Sequence, residues 1–198
     1  MFESLLLGPE PQPMPLVLYT DAFVIRGTIR TRQGRITDIL NQADDGFVIL
    51  ENTIIDEYGS RELAVRSEYA QVNLGAILFA VADTTIDPRP DLRTPKVPEQ
   101  AMISIPPFRI TGRIHLMPER DLHEALTELT GRFIPVTEAT FWSEAAGEAR
   151  QTAPMVAFNH QRAQILAPHR AVDPWAGLDR GGEAAVGGGE SSAPEPTI

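Results

Sequence analysis

Arginine and histidine carry most of the chemistry this chain could do. In FVIRGTIRT (23–31) strict alternation sets Phe23, Ile25, Gly27 and Ile29 on one face and Arg26 and Arg30 on the other, with Arg32 just beyond. In FRITGRIHL (108–116) the same phase sets Arg109, Arg113 and His115 outward. Two such strips could bind phosphate, nucleic acid or an acidic partner, because guanidinium offers a planar fork of donors. The plainer expectation is a solvated face whose arginines pair with cross-strand acids such as Glu51 or Glu68, each pair contributing about 0–1 kcal/mol.

Four histidines, His115, His123, His160 and His169, could converge with Glu119 or Asp121 on a metal. No two of them have the HxH or HxxxH spacing of a strong ligand pair, so no metal is assigned. In TDILN (37–41) Asp38 suits a helix start and Asn41 a helix end, so capping accounts for both. A catalytic carboxylate would need a second acid or a histidine in the same motif. Trp175, in DPWAG (173–177), stands in a polar tail, where it could dock back on the core or anchor a partner. The chain has no nucleophile elbow and no glycine-rich phosphate loop. No catalytic residue and no cofactor are therefore assigned.

Composition narrows the classes further. The net charge is −10, which opposes nucleic acid and anionic lipid unless basic residues gather on one face. The arginine strips also lack interleaved aromatic residues, so nucleic acid is not the expected partner. There is no cysteine, which removes disulfides, zinc thiolates and thiol nucleophiles and fits a cytoplasmic protein. Lys96 is the only lysine and lies in a proline-rich stretch, so a core Schiff base or P-loop lysine is not available. The longest apolar run, LGAILFAVA (74–82), is about half of the roughly 20 residues a membrane helix needs. MFESLLLGPEPQP carries Glu3 and no basic n-region, and does not read as a signal peptide.

The elements that position these residues come in two sets. LVLYTDAF (16–23) lies over AMISIPPF (101–108), and VIRGTIRT over RITGRIHL, at a constant offset of 85. One extra residue later the offset is 86, which sets ITDILN (36–41) over LHEALT (122–127) and FVILENTII (47–55) over FIPVTEATF (133–141). Gly27 and Gly112 fall mid-strand on the inner face, where glycine marks a bulge or close backbone approach. Thr37 is the expected N-cap of the first helix. In the second, Leu122, Ala125, Leu126 and Leu129 have helical spacing, and Gly131 stands past the end.

The fold expected is α+β, mostly β. It comprises two tandem ββαββ units, 15–82 and 100–169, forming an internal pseudo-two-fold dimer. A flexible N-terminus (1–14), a Pro-rich linker (83–99) and a disordered acidic tail (170–198) complete it. Each unit alone buries too little surface for much stability, and pairing would cover its exposed strand edges.

FVIRGTIRTRQGRITDILN resembles short uncharacterised bacterial proteins in which a G-x-I strand is followed by R-[IL]-[ST]-D-x-L-N and a strand beginning with Phe. The second copy departs from that motif, with Leu122-His123-Glu124 for Ile36-Thr37-Asp38 and Thr127 for Asn41. The resemblance implies fold and duplication only. The strand count is also similar to that of small SH3-like or Sm-like barrels, as an analogy of fold.

The function expected is a non-enzymatic binding or scaffold module with an unknown protein partner and no membrane association. The alternative is a ligand- or nucleic-acid-binding regulator using the arginine strips. An enzyme ranks third.

Overall fold

The computed structural model describes residues 10–43, 45–60, 62–82, 96–118 and 121–168. The protein is mostly β, and ten strands form one antiparallel sheet. The first half runs β1 (Gln12–Thr20), β2 (Phe23–Thr31), α1 (Ile36–Asn41), β3 (Phe47–Glu57), β4 (Val65–Asn73) and β5 (Ile77–Ala82). The second runs β6 (Val97–Ile105), β7 (Phe108–Leu116), α2 (Leu122–Thr127), β8 (Phe133–Ser143), β9 (Glu148–Asn159) and β10 (Ile165–Pro168). The sheet order is β10-β6-β7-β8-β9-β5-β1-β2-β3-β4.

Each half therefore has a fifth strand beyond the expected ββαββ. The missed strand of the first half is the apolar run ILFAVA. It is almost wholly buried, so it shows no alternation to mark it as a strand. The strands also overrun the expected limits, with β1 beginning at Gln12 and β6 at Val97.

Registers in the two halves correspond. Leu16 faces Gly27, and 85 residues later Ala101 faces Gly112. Phe47 faces Asn73, and 86 residues later Phe133 faces Asn159. The β2–β3 ladder shifts between Arg26 and Thr28, and the β7–β8 ladder shifts between Thr111 and Arg113. Asn52 and Glu138, opposite these bulges, both have left-handed backbone, with φ of 52° and 51°.

The bulges explain the mid-strand glycines. A Cβ on Gly27 would meet the Leu50 Cβ at 3.0 Å, and one on Gly112 would meet Val136 Cγ1 at 2.5 Å and the Thr137 carbonyl at 2.8 Å. Only glycine lets the strand bend that closely over its neighbour.

The helices are short, and the first is capped differently from expectation. Arg35, not Thr37, is the N-cap of α1, and no side chain caps it; Thr37 is buried. Asp121 caps α2, its carboxylate accepting from the Glu124 N–H at 2.8 Å. That helix stops at Thr127, so Leu129 lies beyond it, half-buried against the core of the second half.

The expected two-fold between the halves is not what joins them. A two-fold would pair an edge with its own counterpart. Instead β5 pairs with β9, Phe79 facing Phe158, Ala80 facing Ala157 and Val81 facing Val156. The contact is head to tail. It leaves β4 at one end of the sheet and β10 at the other.

Candidate functional site

The junction between the halves shows how this sheet grips a strand. Residues at the joining end of the first half are buried on both faces. Leu18, Ile25 and Ala80 enter that half's own core, while Tyr19, Val24 and Phe79 enter the core of the second. This is why Val24, on the outward phase of β2, is buried. Tyr19 stacks on Phe79 at 4.4 Å and meets Phe108 and Phe141 edge-on at 5.5 and 5.3 Å. The two T-shaped pairs match ring edge to ring face.

Polar groups tie the same junction. The Asn41 side-chain amide donates to the Phe133 carbonyl at 2.8 Å, and its oxygen accepts from the Phe133 N–H at 2.8 Å. Asn41 is thus a clamp between halves, whereas the sequence suggests only a helix end; Gln42 is the C-cap. Buried Asn159 donates to the Leu74 and Ile77 carbonyls at 3.2 and 2.9 Å. Arg162 binds both Asp21 carboxylate oxygens, at 2.7 and 2.6 Å, and donates to the Gly75 carbonyl at 3.0 Å.

At the β4 end of the first half the corresponding surface is uncovered by the described residues. A groove of about 350 Å3 is lined by Phe23, Ile25, Ile55, Ala70, Val72 and the β1–β2 turn. Their counterparts in the second half, Phe108, Ile110, Phe141, Val156 and Phe158, lie in the core beneath Tyr19 and Phe79. Phe23 was expected to face the core and is instead half-exposed here, because nothing in the described residues fills the groove. In the sequence this groove has one trace, the Phe23–Phe108 correspondence.

The arginine strips are on the surface and largely neutralised. Arg26 pairs with Asp56, Arg30 with Glu51 at 3.2 Å, and Arg113 with Glu138 at 2.7 Å. Glu51 is one of the two acids the sequence suggests as partners; Asp56 and Glu138 are not among them. Arg32 lies past the end of β2 and is exposed. His115 shares a 2.9 Å hydrogen bond with the Thr137 hydroxyl. Arg109 is exposed and faces Trp142 across the β7–β8 ladder, and the Arg150 guanidinium sits 4.3 Å from the Trp142 ring. The second strip therefore does adjoin an aromatic residue, which sequence distance concealed.

The three described histidines form no metal-binding cluster. His115 is in β7 and His123 in α2, while His160 follows β9 with its ring on Phe158. Among the described residues no cluster of three or more His, Asp or Glu could hold a metal. Glu119, His169 and Trp175 lie outside the described residues.

Two tyrosines are perturbed. Burial raises the Tyr19 phenol above its ordinary value, with Glu148 adding to the effect. Tyr58, packed 5.7 Å from Phe108, is pushed up for the same two reasons in the same order. Its hydroxyl is buried without a hydrogen-bond partner among the described residues.

No family model matches the chain, and no curated protein or solved structure is significantly similar to it. Among the described residues no helix is long and apolar enough to cross a membrane.

Proposed function

We propose that this is a cytoplasmic, non-enzymatic binding or scaffold module, built from two tandem copies of one bacterial ββαβββ unit, that captures a β-strand of a protein partner at its β4 edge. The observation that carries the reading is the apolar groove at Phe23, Ile25, Ile55 and Val72 beside β4, whose outer edge pairs with no strand among the described residues. Strand addition draws affinity from main-chain hydrogen bonds and specificity from pockets for alternate side chains. The duplication is supported by registers and bulges that correspond at shifts of 85 and 86.

The test is affinity capture from the native host with the intact chain and with Phe23→Asp. A partner retained by the wild type and lost with Phe23→Asp supports strand capture. Equal retention by both ends it.

A second reading is a ligand- or nucleic-acid-binding regulator. It is favoured by one feature, exposed Arg109 and Arg150 around Trp142. Against it stand the carboxylates on Arg26, Arg30 and Arg113 and the net charge of −10.

A further inference from the structure

At an offset of 86, the strands at the two ends of the sheet, β4 and β10, correspond to the two strands that meet at the junction, β9 and β5. Phe23 and Phe47 are 38% and 42% exposed at the β4 end, while their counterparts Phe108 and Phe133 are 1% exposed at the junction. Leu122 and Ile165 are 46% and 50% exposed in the other half, while their counterparts Ile36 and Phe79 are 0% exposed. Each of these four apolar side chains is open where its counterpart is buried in one of the two cores. Asn73 likewise repeats the loop contact of Asn159. Its side-chain oxygen accepts from the Gly75 N–H at 2.7 Å, as that of Asn159 accepts from the Gln161 N–H at 3.1 Å.

We infer that the occupant of the β4 edge is β10 of a second copy of this chain, so that copies join head to tail by repeating the β5–β9 junction. This rests on the strand-capture reading and names its partner. Transferring the internal register by 86 residues gives Ile165 facing Val72, Leu166 facing Gln71 and Ala167 facing Ala70 between chains. Ile165 then fills the groove over Phe23 and Ile55 as Phe79 covers Phe108 and Phe141. Helix α2 comes to Phe47 as α1 comes to Phe133, with Thr127 standing where Asn41 does. The donor face carries Ser104 and Arg109 where the internal one has Tyr19 and Val24. The outer junction is therefore more polar and assembles with concentration. A heterologous contact of this kind closes into a ring or continues as a filament.

The test is native mass spectrometry on the full chain, with Phe23→Asp at the acceptor end and Ile165→Asp at the donor end. The wild type is expected as an oligomer of two or more chains, rising with concentration. Each variant alone is expected as a folded monomer by circular dichroism. Mixed in equal amounts, they should form a 1:1 heterodimer, because one sound donor and one sound acceptor remain. In this cysteine-free chain, Gln71→Cys and Leu166→Cys should cross-link to each other under oxidation and not to themselves.

A wild type that stays monomeric at every concentration overturns the inference. So does Ile165→Asp assembling like the wild type, or Gln71→Cys cross-linking to itself, which would mean β4 pairs with β4. A monomeric full chain that assembles once residues 170–198 are deleted would make that segment the occupant instead. If the chain is monomeric but host capture still depends on Phe23, strand capture stands with another partner and self-assembly alone falls.

Discussion

Asn41 lies 92 positions before Phe133 in the chain, yet its side-chain amide pairs with both main-chain polar groups of that residue. The amide imitates a strand neighbour for a residue that is itself 1% exposed. Gly131, with φ of 97°, lies alongside, and a Cβ there would meet the Asn41 amide at 3.3 Å. Asn41→Ala should therefore cost about 2 kcal/mol, near 1 per lost bond. Asn41→Asp keeps the acceptor, loses the donor and turns a carboxylate oxygen toward the Phe133 carbonyl, so it should cost at least as much. Urea denaturation of the two variants and the wild type measures both. A wild-type midpoint for Asn41→Ala would mean the clamp contributes nothing.

The two strand glycines should respond unequally to alanine. At Gly112 the new Cβ meets Val136 Cγ1 at 2.5 Å and backbone at 2.8 Å, whereas at Gly27 the nearest atoms are 3.0 Å away. Overpacking of this sort costs roughly 1–3 kcal/mol. Gly112→Ala should fall at the upper end and Gly27→Ala at the lower, seen as a lower thermal midpoint for Gly112→Ala. The reverse order would show that the β7–β8 bulge yields more easily than the β2–β3 bulge.

Tyrosine burial predicts an alkaline limit to stability. Folding holds the Tyr19 and Tyr58 phenols above the ordinary value of 10.0, so above that pH the folded state keeps protons the unfolded chain has lost. Their contribution is complete below pH 10 and declines as pH rises past it. Tyr58→Phe should flatten this decline. At neutral pH it should leave stability unchanged or raise it by about 1 kcal/mol, because the hydroxyl it removes is buried without a partner among the described residues. Denaturant midpoints at neutral and strongly alkaline pH decide the matter; an equally steep decline in Tyr58→Phe would refute it.

The arginine reading has its own measurement. If the strips hold a polyanion, binding must weaken steeply with salt as counterions are displaced. Changing Arg26, Arg30, Arg109 and Arg113 to Gln would then abolish it with little loss of stability, since exposed ion pairs contribute about 0–1 kcal/mol. The expectation is no salt-sensitive binding of RNA or DNA by the intact chain in filter-binding titrations. Tight, salt-dependent retention would promote the regulator reading.

Local physics alone made much of this protein legible in its sequence. Alternation in FVIRGTIRT and FRITGRIHL marked β2 and β7, because a strand with one buried face writes period two into its residue types. Gly27 and Gly112 marked the bulges, because only glycine permits such close approach. The constant offset marked the correspondence of strands that the registers carry. The mostly β character of the chain and the outward phase of Arg26, Arg30 and Arg113 came from the same source.

The tertiary structure decided how the halves meet. Tyr19, Val24 and Phe79 are spaced as ordinary strand residues, and nothing in their order says that they enter the other half's core. ILFAVA carried no period, because a strand buried on both faces needs no polar residues. Asn41 reads as a helix end, since a contact reaching 92 residues along the chain has no local signature. The groove beside Phe23 was illegible for the same reason. It exists because the pairing of β5 with β9 is head to tail, which covers one edge of each half and leaves the other edge without a partner strand among the described residues.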